Sequence, residues 1–123
     1  MQAIFYVFLG GGLGSLCRYG INRLILSHNW HFPTATFIAN VISCIILGFF
    51  IGMTLKDGLN QSQRLLWMTG FCGGFSTFST FSGETFQLLQ NGHATTALVY
   101  VFCSLLVCIL CIGLGIFLGQ KFI

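Results

Sequence analysis

The sequence predicts an all-α membrane protein with four transmembrane helices, and composition is the first reason. The 123 residues are 55% hydrophobic and 6% charged, whereas soluble domains carry about 25% charged residues. A helix needs roughly 20 apolar residues to cross a hydrocarbon layer about 30 Å thick. The chain therefore has room for about four spans and for no soluble catalytic domain, and we expect no enzymatic activity.

Charge is sparse and dispersed along the chain. Five Lys and Arg residues stand against two acidic residues, which gives a net charge of +3. A nucleic-acid interface needs clustered basic residues on one face, so we exclude nucleic acid as a partner. The first cation, Arg18, comes late in the first apolar stretch instead of preceding it, which is not the pattern of a cleavable signal peptide. We therefore expect the first span to remain in the mature protein.

Apolar runs define the first two spans. They place span one at about residues 3–26 and span two at about residues 34–53. The polar segment 27–33 separates the two runs. This segment ends in Pro33, which suits the first turn of the second helix because no intrahelical hydrogen bond is lost there.

The second half of the chain repeats this arrangement after its most polar stretch, residues 56–64. Span three is predicted at about residues 65–89 and span four at about residues 94–118, with a short polar turn at residues 90–93 between them. Residues 1–123 then form a single four-helix transmembrane domain whose two termini lie on the same side of the membrane.

The basic residues define the orientation of these spans only weakly. Lys56, Arg64 and Lys121 fall on the side of the termini, whereas Arg23 lies near the opposite face and Arg18 lies deeper in span one. Basic residues normally concentrate on the cytoplasmic side. This weak bias leads to the hypothesis that the chain inserts in both orientations and that two copies of opposite orientation associate.

Pairs of small residues one helical turn apart allow helices to approach closely in lipid. Such pairs mark either packing inside one subunit or contacts between subunits. A bundle of four helices leaves little interior room for an aqueous path, so any transport function favours an oligomer. The pairs are Gly10 with Gly14, Gly48 with Gly52, and Gly115 with Gly119.

Span three contains a segment that a simple lipid-facing helix would not carry. Gly70, Gly73 and Gly74 precede a run of hydroxyl residues, and together these residues weaken a helix from 70 to about 77. We therefore predict a break there. Backbone groups freed inside a membrane need a partner, so the break marks a binding site. Its carbonyls could bind a hard monovalent cation, or Ser and Thr side chains could satisfy the kink.

Phe75, Phe78 and Phe81 recur every three residues in the same segment. In helical backbone they would lie near one face, which is most often a core or lipid contact. The alternative is anion binding, because an aromatic ring is electropositive at its edge, and ring edges beside hydroxyl donors could replace part of an anion's hydration shell. The face of the ring would instead attract a cation.

The ionisable side chains of Arg18 and Glu84 fall within predicted spans, where charge is costly and commonly functional. Arg18 lies in span one, and Glu84 lies in span three. Arg18 could extend to an interface, Glu84 could lie at a solvated helix end, or the two could pair with each other. Asn40, early in span two, needs a hydrogen-bond partner at that depth, which either a helix contact or a pore lining supplies.

Polar side chains also form stripes at one-turn spacing. Tyr100, Ser104 and Cys108 align on span four, and Thr36 and Asn40 align on span two. Such stripes either line a path or connect helices.

The cysteines and histidines give no catalytic or metal signature. All six cysteines fall within predicted spans, and we interpret them as small hydrophobic residues. Cys108 and Cys111 form a CxxC pair, but it lacks the polar surroundings that activate a thiol. His28, His31 and His93 have too few companions for a metal site.

At this point the motifs match a known family. The chain closely resembles the bacterial Fluc (CrcB-type) fluoride channels over essentially its whole length, and residues 70–81 are the most specific part of the match. The resemblance rests on Gly11, Gly14, Arg18 and Tyr19, on Pro33, Thr36 and Asn40, on residues 70–84, and on Tyr100 with Ser104.

The resemblance implies a dual-topology homodimer of two antiparallel subunits in the bacterial inner membrane, with two separate fluoride pores. Phe78 and Phe81 match the pore phenylalanines, whose rings contact the anion, and Asn40 matches the pore asparagine. Further positions match polar residues along the permeation path. These positions are Thr36, Ser79, Thr80, Glu84, Tyr100 and Ser104.

The same resemblance implies a structural ion. The backbone carbonyls of Gly73 and Ser76 from both subunits would hold one sodium ion on the dimer axis, and Arg18 matches an arginine near the aqueous vestibule. In two places this sequence departs from the family. Ser76 stands where many members have Thr, which leaves a backbone ligand unchanged, and Cys108 stands where some members have Ser.

The implied function is passive, selective export of cytoplasmic fluoride down its electrochemical gradient. Fluoride enters a cell as the neutral weak acid, dissociates, and needs a route out as the ion. The alternative is a proton-coupled small multidrug exporter, which also has four spans and about this length. Such exporters depend on a glutamate in the first span, whereas this span holds Arg18 and no acid.

Overall fold

A computed structural model describes residues 1–25 and 32–123, and these residues are helical apart from short connections. Residues 61–75 form three consecutive helical pieces, of which the longest has π-helical hydrogen bonding. No strand occurs in either described range, so the all-helical prediction is confirmed for them. The helices are α1 (Gln2–Ile25), α2 (Thr34–Thr54), α3 (Gln61–Gln63, Arg64–Cys72 and Gly73–Phe75), α4 (Phe78–Gln90) and α5 (Ala94–Phe122).

Three of these helices, α1, α2 and α5, are long and apolar enough to cross a membrane. The predicted third span corresponds to α3 followed by α4. Helix α4 has 13 residues and is therefore about 20 Å long at 1.5 Å per residue, which is shorter than a hydrocarbon layer of about 30 Å. The chain is thus a multi-pass membrane protein whose third span is divided into two helices.

The helix bounds differ slightly from the predicted spans. Helix α3 begins earlier than residue 65 because the Asn60 side chain caps it and the Gln63 side chain accepts a hydrogen bond from the Asn60 N–H. Pro33 precedes the first turn of α2 instead of lying within it. The predicted end of span one at residue 26, together with His28 and His31, lies outside the described residues.

The break in span three is narrower than predicted. The backbone stays helical through Phe75, and only Ser76 and Thr77 are extended, with φ/ψ of −81°/158° and −152°/120°. Two of the glycines before the break, Gly70 and Gly74, lie against another helix, which supports helical backbone there. A Cβ at Gly70 or Gly74 would collide with the α1 backbone near Gly10 and Gly11.

The glycine pairs pack helices within one subunit. Gly10 and Gly14 lie against the backbone of α3, and added Cβ atoms there would meet α3 carbonyl oxygens. The other two pairs face each other across α2 and α5, where a Cβ at Gly48 would collide with the Ile112 carbonyl. For these glycines the structure confirms packing inside the subunit, the first of the two alternatives.

Close packing orders the helices into two pairs, α1 with α3 and α2 with α5. Both pairs run parallel, because positions further along one helix meet positions further along its partner: Gly48 meets Ile112, and Gly52 meets Ile116. Helix α4 packs on α5 and α2. This places the break in span three beside the middle of α5 and the first half of α2.

Most large apolar side chains lie on the outside of the subunit. Helix α1 buries only Gly10 and Gly14, and its phenylalanines and leucines are exposed. Helix α5 likewise exposes Phe102, Leu106 and Ile109. A soluble monomer rarely exposes so large an apolar area, whereas lipid or a second subunit would cover it.

Candidate functional site

A groove opens at the break, between α2, α4 and α5. Asn40 comes from α2, Phe78 and Phe81 from α4, Ser104 from α5, and Ser76 from the break itself, so five predicted site residues meet here. No charged side chain lines the groove within the described part of the chain. The full lining is Asn40, Cys44, Ser76, Thr77, Phe78, Phe81, Ser104, Leu105 and Cys108.

The Asn40 side chain, on α2, hydrogen-bonds the backbone of the break at Thr77. Its Oδ1 accepts a hydrogen bond from the Thr77 N–H at 2.9 Å, and its Nδ2 donates to the Thr77 carbonyl at 3.4 Å. In a continuous helix the Thr77 N–H would donate to the carbonyl of Gly73. Asn40 therefore accepts the hydrogen bond that the Gly73 carbonyl would receive in a continuous helix.

A second donor is diverted at the start of α4. The Thr77 hydroxyl oxygen caps this helix and accepts a hydrogen bond from the Thr80 N–H at 3.2 Å. In a continuous helix that N–H would donate to the Ser76 carbonyl. Asn40 thus takes the helical donor of the Gly73 carbonyl, and the Thr77 hydroxyl takes that of the Ser76 carbonyl. Uncharged carbonyl oxygens are suitable ligands for a hard monovalent cation.

Side chains satisfy other carbonyls around the break. The Cys72 carbonyl accepts from the Ser43 hydroxyl at 3.2 Å and from the Ser76 hydroxyl at 2.8 Å. The Gly74 carbonyl accepts from Arg18 Nε at 3.2 Å. Hydroxyl groups therefore satisfy part of the break, as one of the two alternatives held, and the Gly73 and Ser76 carbonyls lose their helical donors to side chains.

Glu84 lies in a separate cluster that joins three helices. Its carboxylate accepts hydrogen bonds from the Thr36 hydroxyl of α2 and from the Tyr100 hydroxyl of α5, the latter at 3.4 Å. Tyr100 is completely buried. Because Arg18 instead donates to the carbonyl of Gly74, the alternative that Arg18 pairs with Glu84 is wrong for this subunit.

The phenylalanines divide between the two sides of the break. Phe75 belongs to α3 and packs against Phe71, with ring centroids 5.6 Å apart. Phe78 and Phe81 belong to α4 and lie 5.8 Å apart, and Phe81 contacts Tyr100 at 4.9 Å. The expected three-residue stripe is interrupted after Phe75, because Ser76 and Thr77 are not helical. Phe81 is buried, whereas Phe78 is 77% exposed.

Ser104 contributes a hydroxyl group whose partner is missing within the described subunit. The residue is 5% exposed, and its Oγ has no hydrogen-bond partner there. A buried hydroxyl normally has such a partner. The groove wall therefore contains a neutral donor that is available to a bound molecule or ion.

Ser79 and Thr80 lie outside the groove lining. Ser79 is exposed, and the hydroxyl groups of both residues are 3.2 Å from the Thr77 hydroxyl. Thr77 was not among the predicted site residues, although it is the centre of this hydroxyl cluster and lines the groove. A Thr immediately before a helical segment is a recognised helix-start signal, which could have identified it.

The fold and the site define a multi-pass helical membrane protein in which a broken span meets a groove of aromatic and uncharged polar groups. Groups of this kind line the pathways of ion-conducting membrane proteins. The chain belongs to the family described as "CrcB-like protein, Camphor Resistance (CrcB)", whose profile matches residues 5–116.

Curated relatives resemble the chain over nearly the full length of both sequences. A protein of Azobacteroides pseudotrichonymphae and one of Bacteroides fragilis, each named "Fluoride-specific ion channel FluC", are 37% identical over 99% of both chains. A "Fluoride-specific ion channel FluC 2" of Bacillus subtilis is 42% identical over 98% of this chain and 90% of its own length. These names are of ion channels, which agrees with the prediction that the chain is not an enzyme.

Proposed function

We propose that the chain is a passive, selective fluoride channel. The names of its relatives support this function, and one observation in the groove carries the argument. The Phe78 and Phe81 rings and the buried, unpartnered Ser104 hydroxyl line the same groove, which has no charged side chain in its described lining. Ring edges and a neutral donor suit a small anion that has to leave as readily as it enters.

Each groove residue has a role in this mechanism. The edges of Phe78 and Phe81 and the Ser104 hydroxyl replace part of the water around fluoride. Asn40 fixes the break beside them through Thr77, and it lies in the groove as an amide. Because the lining carries no fixed positive charge, the anion is stabilised without being trapped.

The remaining predicted positions extend the proposed path on either side of the groove. Thr36, Glu84 and Tyr100 form the hydrogen-bonded cluster next to Phe81. Ser79 and Thr80 present hydroxyl groups at the start of α4. We place Arg18, whose guanidinium binds the Gly74 carbonyl, at the aqueous vestibule.

We propose that two chains of opposite orientation form the channel and that each dimer has two pores. The high exposure of Phe78 in the single chain supports this arrangement, since a ring that contacts the permeating ion needs a wall on its other side. The exposed apolar face of α1 offers additional surface for a partner or for lipid.

We further propose that the Gly73 and Ser76 carbonyls of both subunits hold a structural sodium ion at the dimer interface. Two observations on the chain support this fit: the helical donors of both carbonyls are diverted to side chains. When bound, the ion would supply positive charge that connects the two broken spans. Replacing sodium by N-methylglucamine is then expected to weaken the dimer, as measured by light scattering during size-exclusion chromatography.

The proposed direction of flow is out of the bacterial cell, across the inner membrane. The chain carries no phosphate-binding loop that would couple transport to nucleotide hydrolysis. Fluoride that entered as the neutral acid and dissociated inside would therefore leave down its own gradient.

The experiment is fluoride efflux from liposomes that contain the purified protein, followed with a fluoride electrode. Chloride efflux and uptake of a quaternary ammonium drug are measured in parallel. Selective and uncoupled fluoride loss supports the channel. Proton-driven drug uptake would instead support the multidrug exporter, and equal leakage of fluoride and chloride would contradict selectivity.

A further inference from the structure

Two thiols line the groove, and neither has a role in the proposed conduction mechanism. Cys44 comes from α2 and Cys108 from α5, and both are half-buried free thiols. The two thiols face the same groove from neighbouring helices. The sequence alone indicated small hydrophobic residues at these positions, but their pairing across two helices gives them a chemistry that a single buried thiol lacks.

The packing of α2 on α5 fixes this pair. Cys44 lies one turn before Gly48, and Cys108 lies one turn before Ile112. The backbone of Gly48 is so close to Ile112 that a Cβ at Gly48 would collide with the Ile112 carbonyl. Because the two helices run parallel at this distance, the residues one turn earlier also face each other. Backbone packing therefore fixes the spacing of these two positions, and both thiols line the groove between the helices.

We infer that Cys44 and Cys108 form a two-coordinate binding site for a soft, thiophilic metal ion such as Hg(II), Ag(I) or Cu(I). Thiolates select soft metals, and these ions accept two sulfur ligands. Zinc prefers four protein ligands in a structural site. The described residues contain no group of three or more His, Cys, Asp or Glu residues that could hold a metal ion, so the site is specific for ions that two ligands satisfy.

Mercuric chloride shows the chemistry of binding most simply. Two S–H bonds and two Hg–Cl bonds break, two S–Hg bonds form, and two protons and two chloride ions leave. No group is oxidised or reduced. The product is neutral, which suits the apolar surroundings of the groove. Because the thiols share the groove with Ser104 and Asn40, a bound ion would obstruct the path, and this blocking effect rests on the proposed function.

Binding is tested on the purified protein with mercuric chloride and intact-mass spectrometry. The background variant carries Ser in place of the exposed cysteines Cys17 and Cys103. We expect a species heavier by one mercury and lighter by two hydrogens, as two S–Hg bonds require, without the chloride of a single S–Hg–Cl adduct. Cys44→Ala and Cys108→Ala should each lose this species, whereas Cys111→Ala, the matched control, should keep it. Size-exclusion elution like that of the background verifies that each variant is folded.

The inference is overturned if the bridged species is absent in the background, or if it persists in Cys44→Ala or Cys108→Ala. Blocking is tested separately by fluoride efflux. Mercuric chloride should reduce efflux from the background variant to the leak of protein-free liposomes, and dithiothreitol should restore it. Efflux through Cys44→Ala should be the same with and without mercury. Absence of any efflux before mercury is added would contradict the proposed function, while the mass measurement would still decide the metal site.

Discussion

In the proposed channel, single residues around the groove stabilise an anion weakly. Ser104 is the clearest case, since a buried hydroxyl without a partner costs about 1–3 kcal/mol. That cost is recovered only when something accepts its hydrogen bond. Asn40, in contrast, already uses both ends of its amide on Thr77. The groove therefore combines a residue that is fixed in place with one that is free to bind.

The phenylalanines provide the first prediction at this scale. Phe78→Ile or Phe81→Ile should reduce fluoride efflux by roughly tenfold or more, since the loss of about 1.4 kcal/mol of stabilisation in the path slows passage tenfold. An aliphatic side chain keeps the bulk but has no electropositive ring edge. Liposome efflux measures the rate, and light scattering should show that the dimer survives. Phe86→Ile, at a 60% exposed position on the same helix, is the matched control and should conduct normally. Normal efflux in both test variants would remove these rings from the mechanism.

For Ser104 we predict an effect on fluoride efflux without an effect on the free energy of unfolding. Ser104→Ala should reduce fluoride efflux but should not lower the free energy of unfolding, because the hydroxyl has no partner to lose. Ser43→Ala should have the opposite pattern, with a loss of about 0.6 kcal/mol on unfolding, since the Ser43 hydroxyl bonds the Cys72 carbonyl. Denaturant unfolding in detergent and liposome efflux measure the two properties. A clear loss of stability in Ser104→Ala would mean that the hydroxyl has a structural partner.

At the scale of elements, the sequence predicted a break between residues 70 and 77 but made it too wide, since only Ser76 and Thr77 are extended. Glycines weaken a helix when considered locally, so the predicted break began as early as Gly70. In the fold their missing side chains permit contact with α1, and the helix continues. Spans one, two and four follow from apolar runs alone. The contacts of Asn40 with Thr77 depend on how α2 packs, which periodicity along one chain does not encode.

The start of α4 carries the prediction for the break itself. Thr77→Ala should lower the free energy of unfolding by about 1 kcal/mol, because the Thr80 N–H loses the hydroxyl oxygen that caps the helix. Thr77→Ser retains this oxygen and should be close to wild type. Denaturant titration in detergent, followed by circular dichroism, measures the difference. Equal destabilisation by Ala and Ser would show that the methyl group, and not the cap, matters.

Helix pairing gives a second prediction at this scale. Gly48→Ala should destabilise the protein by about 1–3 kcal/mol, since the new methyl group collides with the Ile112 carbonyl and pushes α2 away from α5. Gly113→Ala is the matched control: nothing lies within 4 Å of its added Cβ, so alanine should be neutral or stabilise the helix by up to about 1 kcal/mol. Thermal unfolding in detergent compares the two variants. Destabilisation of equal size would exclude close helix contact as the cause.

For the whole molecule, the apolar exterior and the sparse charge both mean that the surface has to be covered by lipid or by a second copy. A chain with exposed phenylalanines on α1 and a 77% exposed Phe78 is incomplete in water, and lipid or a second copy has to cover it. Composition was sufficient to predict a helical membrane protein, and three of the four predicted spans correspond to single helices long and apolar enough to cross a membrane. It was not sufficient to predict which polar groups share a groove, because Asn40 and Ser104 come from separate helices.

Orientation provides the prediction at the largest scale. The difference in basic residues between the two sides of the membrane is small: the side of the termini has Lys56, Arg64 and Lys121, and the other side has Arg23. A few added charges should therefore decide the orientation. Three lysines added before Met1 should fix one orientation, and a dimer that needs both orientations should then fail to conduct fluoride. Liposome efflux measures conduction, and labelling of a terminal cysteine with an impermeant reagent measures orientation.

Rescue makes this test specific, because added lysines could also impair folding. A second variant with lysines in the 90–93 connection should insert in the opposite direction and be inactive when expressed alone. Co-expression of the two variants should restore fluoride efflux, since each supplies the orientation that the other lacks. Full conduction by a variant whose termini are labelled from one side only would contradict the antiparallel pair. The path would then have to form within a single subunit or between two subunits of the same orientation. In that case the exposed side of the Phe78 ring would face a surface other than the one proposed.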